Sequence, residues 1–125
     1  MTDEISKLPD SELCIMLIIW EANEPVTSAY ILDKLKGKKS WGATTVLNFL
    51  SRLTDRGFLK LEKQGRINYY TAIVDEKVYI ELENKSFLER LHNNSIKSFI
   101  ASLHDSEGIS KEDLAELKQF IEEAE

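Results

Sequence analysis

One cysteine, two prolines, two histidines and five glycines in 125 residues leave this chain short of staples, breakers and metal ligands. Cys14 alone cannot close an internal disulfide. Its neighbours Leu13, Ile15 and Met16 read as a buried thiol in a reducing compartment, so a cytoplasmic location is expected. No apolar run reaches the roughly 18 residues of a membrane span, and no signal peptide precedes the first helix, so no membrane partner is expected. His92 and His104 lie twelve residues apart with no second ligand pair at metal spacing, which argues against a metal site. No cofactor motif is present either. A nucleophile elbow, a P-loop, paired catalytic carboxylates and zinc spacings are all missing, so the chain does not read as an enzyme. Internal repeats and low-complexity segments are absent as well.

An overall excess of positive charge is also lacking. The net charge is −6, which at first sight argues against nucleic acid. Its distribution reverses that reading. Residues 1–72 carry ten Lys/Arg and nine Asp/Glu, whereas residues 73–125 carry six and thirteen. Within residues 34–66, nine basic residues face only Asp55 and Glu62. Binding to DNA depends on the local field facing the phosphates, screened over about 8 Å, so a distant acidic half is tolerable.

What is present is a helix followed at once by a basic hairpin, over residues 40–70. Val46, Phe49, Leu50 and Leu53 fall at helical spacing, while Thr44, Thr45, Asn48, Ser51, Arg52 and Asp55 lie mostly opposite. Gly57 ends the helix. Phe58 to Lys63 alternates, Gln64-Gly65 turns, and Arg66 to Ala72 returns as a second strand. A polar helix face beside a hairpin with a basic tip is the plan of a winged helix-turn-helix: one part enters a major groove and the other grips phosphate.

Upstream, residues 1–8 read as a frayed arm. A first helix starts near Pro9-Asp10-Ser11, with Asp or Ser as cap, and carries Leu13, Met16, Leu17 and Trp20 on one stripe. Val26 reads as a very short extended segment able to pair with the wing. Thr27 caps a second helix that buries Ile31 and Leu35. Downstream, a long helix from Asp75 to His92 carries Val78, Leu82, Phe87, Leu88 and Leu91 as its apolar positions. A second follows Asn93-Asn94-Ser95, with Ile96, Phe99, Ile100 and Leu103. Ser110 caps a last helix, with Asp113 completing a variant capping box, and Leu114, Leu117, Phe120 and Ile121 behind it. Three short amphipathic helices bury too little surface to be stable alone, so a second copy of the chain should cover them.

The residues resemble the BlaI/MecI/CopY family of penicillinase and methicillin-resistance repressors from about Leu8 to Glu123. The matching stretches are Ile15 to Trp20, Trp41-Gly42-Ala43-Thr44-Thr45-Val46, Leu50-Ser51-Arg52-Leu53, Gly57-Phe58-Leu59, Gly65-Arg66 and Tyr69-Tyr70. Further on they are Phe87-Leu88-Glu89-Arg90-Leu91, Ile96-Lys97-Ser98, Ile109 to Leu114, and Glu116-Leu117. The resemblance implies a mainly α protein with a small β-hairpin: a winged helix-turn-helix DNA-binding domain over residues 1–74 and a helical dimerisation domain over residues 75–125. It implies a homodimer that sits on an inverted-repeat operator in double-stranded DNA and blocks transcription, with a sensor protease as the releasing partner. Two departures stand out. The cleaved Asn-Phe pair of the best-known members aligns with Ser102-Leu103, and the cysteine-rich copper motif of other members has no counterpart in the terminal FIEEAE.

The candidate DNA-binding residues are therefore Trp41, Thr44, Thr45, Leu47, Asn48, Arg52, Lys63, Arg66 and Tyr70. Thr can donate to phosphate or touch a thymine methyl, and Asn can pair with adenine. Leu47 falls near the reading face, either packed on the wing or in contact with a thymine methyl. Arg52 reaches phosphate or forms a salt bridge with Asp55 or another helix. Lys63 and Arg66 meet phosphate or the minor groove. One of Tyr69 and Tyr70 is core and the other is free to hydrogen-bond phosphate. Trp41 is a phosphate donor or a core anchor. The candidate dimer residues are Phe87, Leu88, Leu91, Phe99, Leu103, Leu117 and Ile121. Two other readings of the whole chain remain: a winged helix used only for protein assembly, and a one-component sensor of a small ligand.

Overall fold

A computed structural model describes residues 5–124. Among these the order is α1 (Asp10–Ala22), α2 (Ser28–Leu35), α3 (Ala43–Asp55), β1 (Leu59–Gln64), β2 (Ile67–Ala72), α4 (Glu76–His92), α5 (Ile96–Asp105) and α6 (Lys111–Ala124). The chain forms two compact units, one running through Glu81 and the other from Leu82.

In the first unit α1, α2 and α3 enclose a core closed by the antiparallel β1–β2 hairpin. Thr27 Oγ1 accepts the Tyr30 N–H at 3.1 Å and caps α2, which buries Ile31 and Leu35. Val46, Leu50 and Leu53 point inward from α3. Gly57, at φ +82°, ends that helix in a conformation side chains rarely adopt. Val26 pairs with Tyr70 through two backbone hydrogen bonds of 3.0 and 2.8 Å, the short extended segment read from the sequence. α1 ends at Asn23, in the left-handed region at φ 53°.

Several expectations are corrected here. The inward stripe of α1 is Glu12, Ile15, Met16 and Ile19, while Leu17 is exposed. Neither Asp10 nor Ser11 caps α1; Pro9 holds that position without a side-chain bond. The frayed arm expected over residues 1–8 falls partly outside the described residues. Leu8, within them, is buried, and its N–H donates to the Tyr79 hydroxyl at 2.8 Å. Tyr79 is the buried residue of α4, flanked by Phe58 at 5.6 Å and Trp20 at 5.7 Å between ring centroids. Val78 and Leu82 are exposed instead. Through Tyr79 the first turn of α4 belongs to the winged-helix core, so that unit extends past the expected break at residue 74.

Glu12 is the buried charged residue of this core, 1% exposed. Arg56 Nε, at the end of α3, lies 3.2 Å from its Oε1. The pair ties α1 to the end of α3. Its alignment is that of an ion pair rather than a hydrogen bond.

The second unit has α5 capped by Ser95, whose Oγ accepts the Ser98 N–H at 3.0 Å. Ser110 and Asp113 cap α6 reciprocally: each side chain accepts the other's N–H at 3.0 Å. That contact, the Ser110 backbone N–H first and its side chain second, holds the Asp113 carboxyl below its ordinary range. Phe87, His92 and Phe99 form a ring cluster with centroids 5.3–5.4 Å apart. No described residue from Leu82 onward is buried.

Candidate nucleic-acid interface

The site is made of one helix face and one hairpin. Along α3, successive residues turn by about 100°. That angle collects Thr44, Leu47, Asn48, Ser51, Arg52 and Asp55 on the side opposite the core, and all six are exposed. Thr45 lies at the edge of this face and is half-buried. Thr54, at the other edge, donates back to the Leu50 carbonyl at 2.8 Å and is thereby used up locally. Gly42 caps α3 with no side-chain bond, so the first N–H groups of the helix stay free for an anion.

The hairpin register pairs Leu59 with Ala72, Leu61 with Tyr70, Lys63 with Asn68 and Gln64 with Ile67. Gly65 and Arg66 are thus the two loop residues. Gly65 takes φ +64°, the glycine-first arrangement of a type II′ turn. This puts Arg66 at the tip itself, exposed, whereas the sequence placed the turn one residue earlier.

Most cations of the 34–66 segment have local partners. Lys36 pairs with Asp33 at 3.3 Å, Lys60 with Glu62 at 3.4 Å, and Arg56 with Glu12. Lys34 and Lys39 lie over the Tyr30 and Trp41 rings, each at 5.5 Å. Among the described residues Lys38, Arg52, Lys63 and Arg66 have no such partner. The pairing of Arg52 with Asp55 weighed above is not formed. Thr44, Asn48 and Ser51 also make no side-chain hydrogen bond. A row of unsatisfied hydroxyl, amide and guanidinium groups beside a cationic loop is suited to base edges and phosphates.

The other sequence candidates fall as follows. Trp41 stacks edge-on against Phe49 at 5.0 Å and is partly buried, so it anchors the start of α3. Tyr70 is corrected: it is 5% exposed, on the inward side of β2 and bonded to Val26. Strand alternation then puts Tyr69 on the outward side with Lys60 and Glu62. The alternation signalled that one tyrosine faces out; the bridge from Val26 decides which. Of the dimer candidates, Phe87 and Phe99 pack on each other within one chain and stay half-buried. Leu88, Leu103 and Leu117 are half-buried, and Leu91 and Ile121 are exposed. Between α5 and α6 an apolar groove of about 680 Å³ is lined by Ile96, Ile100, Leu114, Leu117, Phe120 and Ile121, among others. No group of His, Cys, Asp and Glu among the described residues can hold a metal ion. No helix among them is long and apolar enough to cross a membrane.

The family described as penicillinase repressor matches residues 8–123. The penicillinase repressor of Bacillus licheniformis is 32% identical over 120 residues, covering 96% of this chain and 93% of that protein. The methicillin resistance regulatory protein MecI of Staphylococcus aureus strain N315 is 22% identical over 121 residues, covering 97% and 98%. The solution structure of the DNA-binding domain of the repressor BlaI superposes with a TM-score of 0.54 at 29% identity, over 62% of this chain and 94% of that one. The monomeric form of Bacillus licheniformis BlaI, solved in complex with the blaP half-operator, gives 0.52 at 30% identity, over 61% and 92%.

Proposed function

The chain belongs to the penicillinase repressor family, and from that premise we propose that it is a sequence-specific DNA-binding transcriptional repressor, acting as a homodimer on an inverted-repeat operator. The observation that carries this reading is the unpartnered polar face of α3 beside the free cations Lys63 and Arg66. Thr44, Asn48 and Arg52 read base edges and nearby phosphates in the major groove, and Arg66 grips the backbone from the wing tip. Thr45 contributes from the edge of that face, and Tyr69 takes the phosphate role first given to Tyr70. The half-operator complex of the relative supports the same use of the same unit.

The homodimer is supported by the second unit. A segment with no buried residue, and with Leu91, Ile96, Phe120 and Ile121 exposed, lacks a core of its own. A symmetric partner supplies one. The repressor works in the cytoplasm, where its DNA is, and has no catalytic step. A sensor protease is the releasing partner that the resemblance implies. In this chain Ser102-Leu103 lies inside α5, and both carbonyls accept backbone N–H groups, so cleavage there first requires α5 to open.

The test is selection of duplexes from a randomised library by the full-length protein, followed by gel-shift titration at several salt concentrations. The proposal requires a preferred inverted repeat and an affinity that falls with salt. A protein-assembly module shifts no duplex at any salt concentration, and that outcome defeats the reading.

A further inference from the structure

Leu47 is the apolar member of the exposed α3 face. It is 44% exposed and lies outside the core cluster and the residues packed against it. One helical turn before and after it stand Thr44 and Ser51, and Asn48 follows it. At about 100° per residue these four lie within one third of the helix circumference. Any docking that brings Asn48 to a base edge therefore brings the Leu47 side chain to the groove as well. Scattered exposed leucines are ordinary on protein surfaces. This one is placed among the groups that face the ligand, and in the major groove a leucine has one good partner. Every base edge there offers a donor or an acceptor, and thymine alone adds an apolar group, its C5-methyl beside the O4 acceptor.

We infer that Leu47 is a specificity-determining residue that reads a thymine C5-methyl in each half-site. The inference rests on α3 being the reading helix. Leucine offers no hydrogen bond, so facing a cytosine amino group or a guanine acceptor it would desolvate that group without replacing its bond. Over thymine it removes a methyl and its own δ-carbons from water together. The position therefore selects for thymine both by attraction and by penalty.

The experiment uses the full-length protein and the duplex selected from the randomised library. Each thymine of one half-site is replaced in turn by deoxyuridine, which removes the methyl and leaves hydrogen bonding unchanged. At one position the replacement should weaken binding about fourfold, the effect of losing one buried methyl. Leu47→Ala, a surface change compatible with helix, should bind the thymine duplex more weakly and no longer distinguish it from the deoxyuridine duplex at that position. Circular dichroism shows that the variant is folded. If no replacement affects wild-type binding, the inference is overturned while DNA reading stands. It is also overturned if discrimination at that position survives in Leu47→Ala, because the methyl is then read by another group such as a threonine. A library that yields no preferred duplex overturns this inference together with the reading on which it rests.

Discussion

Arg66 and Asn48 are both exposed and have no side-chain partner among the described residues, yet their loss should be felt differently. A wing-tip cation on phosphate carries no sequence information. Arg66→Ala should weaken all duplexes alike and lower the salt slope by about 1 per half-site. A changed operator preference with an unchanged slope would contradict the phosphate role. Asn48→Ala should instead cost about 1–3 kcal/mol and relax one base position per half-site, measured by selection with the variant. An unaltered selection profile would remove Asn48 from the reading set. Arg56 is a cation of another kind, because its partner Glu12 is buried under the core. Removing it strands a carboxylate there. Arg56 is itself partly open to solvent, so Arg56→Met should destabilise by about 1–3 kcal/mol rather than the full value for a sealed pair. Urea denaturation measures it, and a second change, Glu12→Leu, should recover much of the loss.

At the scale of elements, α2, α3 and the caps of α5 and α6 were legible because each is a local pattern: apolar spacing, a Thr, a Ser or a Ser–Asp pair at a helix start. The inward stripe of α1 was not legible. That helix is apolar almost all round, so spacing alone could not choose between Leu17 and Ile19. Tyr79 was missed for a related reason. Its burial depends on Leu8, Trp20 and Phe58, all distant in sequence, and no local signal announces such a contact. The same limit left Tyr69 and Tyr70 undecided until Val26 took its place beside β2. Tyr79→Phe keeps the packing but leaves the buried Leu8 N–H without its acceptor. It should destabilise by about 1–3 kcal/mol in thermal or urea unfolding; full wild-type stability would show that the bond contributes nothing. The α6 cap gives a pH test. The Asp113 carboxyl titrates lower in the folded chain than when unfolded. Its contribution is therefore present above the unfolded carboxylate range and is lost as pH falls through the lower folded value. The Ser110 amide NMR shift should report that low midpoint, and Asp113→Asn should abolish the titration. A midpoint at or above the ordinary aspartate range would contradict the cap.

At the scale of the whole molecule, the two units differ in what they can do alone. The first has a sealed core of residues from α1 through the start of α4. The second has rings and grooves but no buried side chain among its described residues. Leu91→Asp with Ile121→Asp changes only exposed positions, so the winged unit should keep its fold while the charges block association. Sedimentation at micromolar concentration should then give a monomer for the variant and a dimer for the parent chain, and operator affinity should fall as the linkage of two half-site contacts is lost. A variant that stays dimeric would place the interface elsewhere. The proposed dimer, in which a second copy completes the interior, also makes the amount of protein in the cell part of the regulatory logic. Below the association midpoint, dimer concentration follows the square of the chain concentration, so halving expression leaves about a quarter of the operator-binding species. Gene dosage and the dilution of each cell division would then set a threshold for silencing, sharper than a repressor with a self-sufficient second domain could impose.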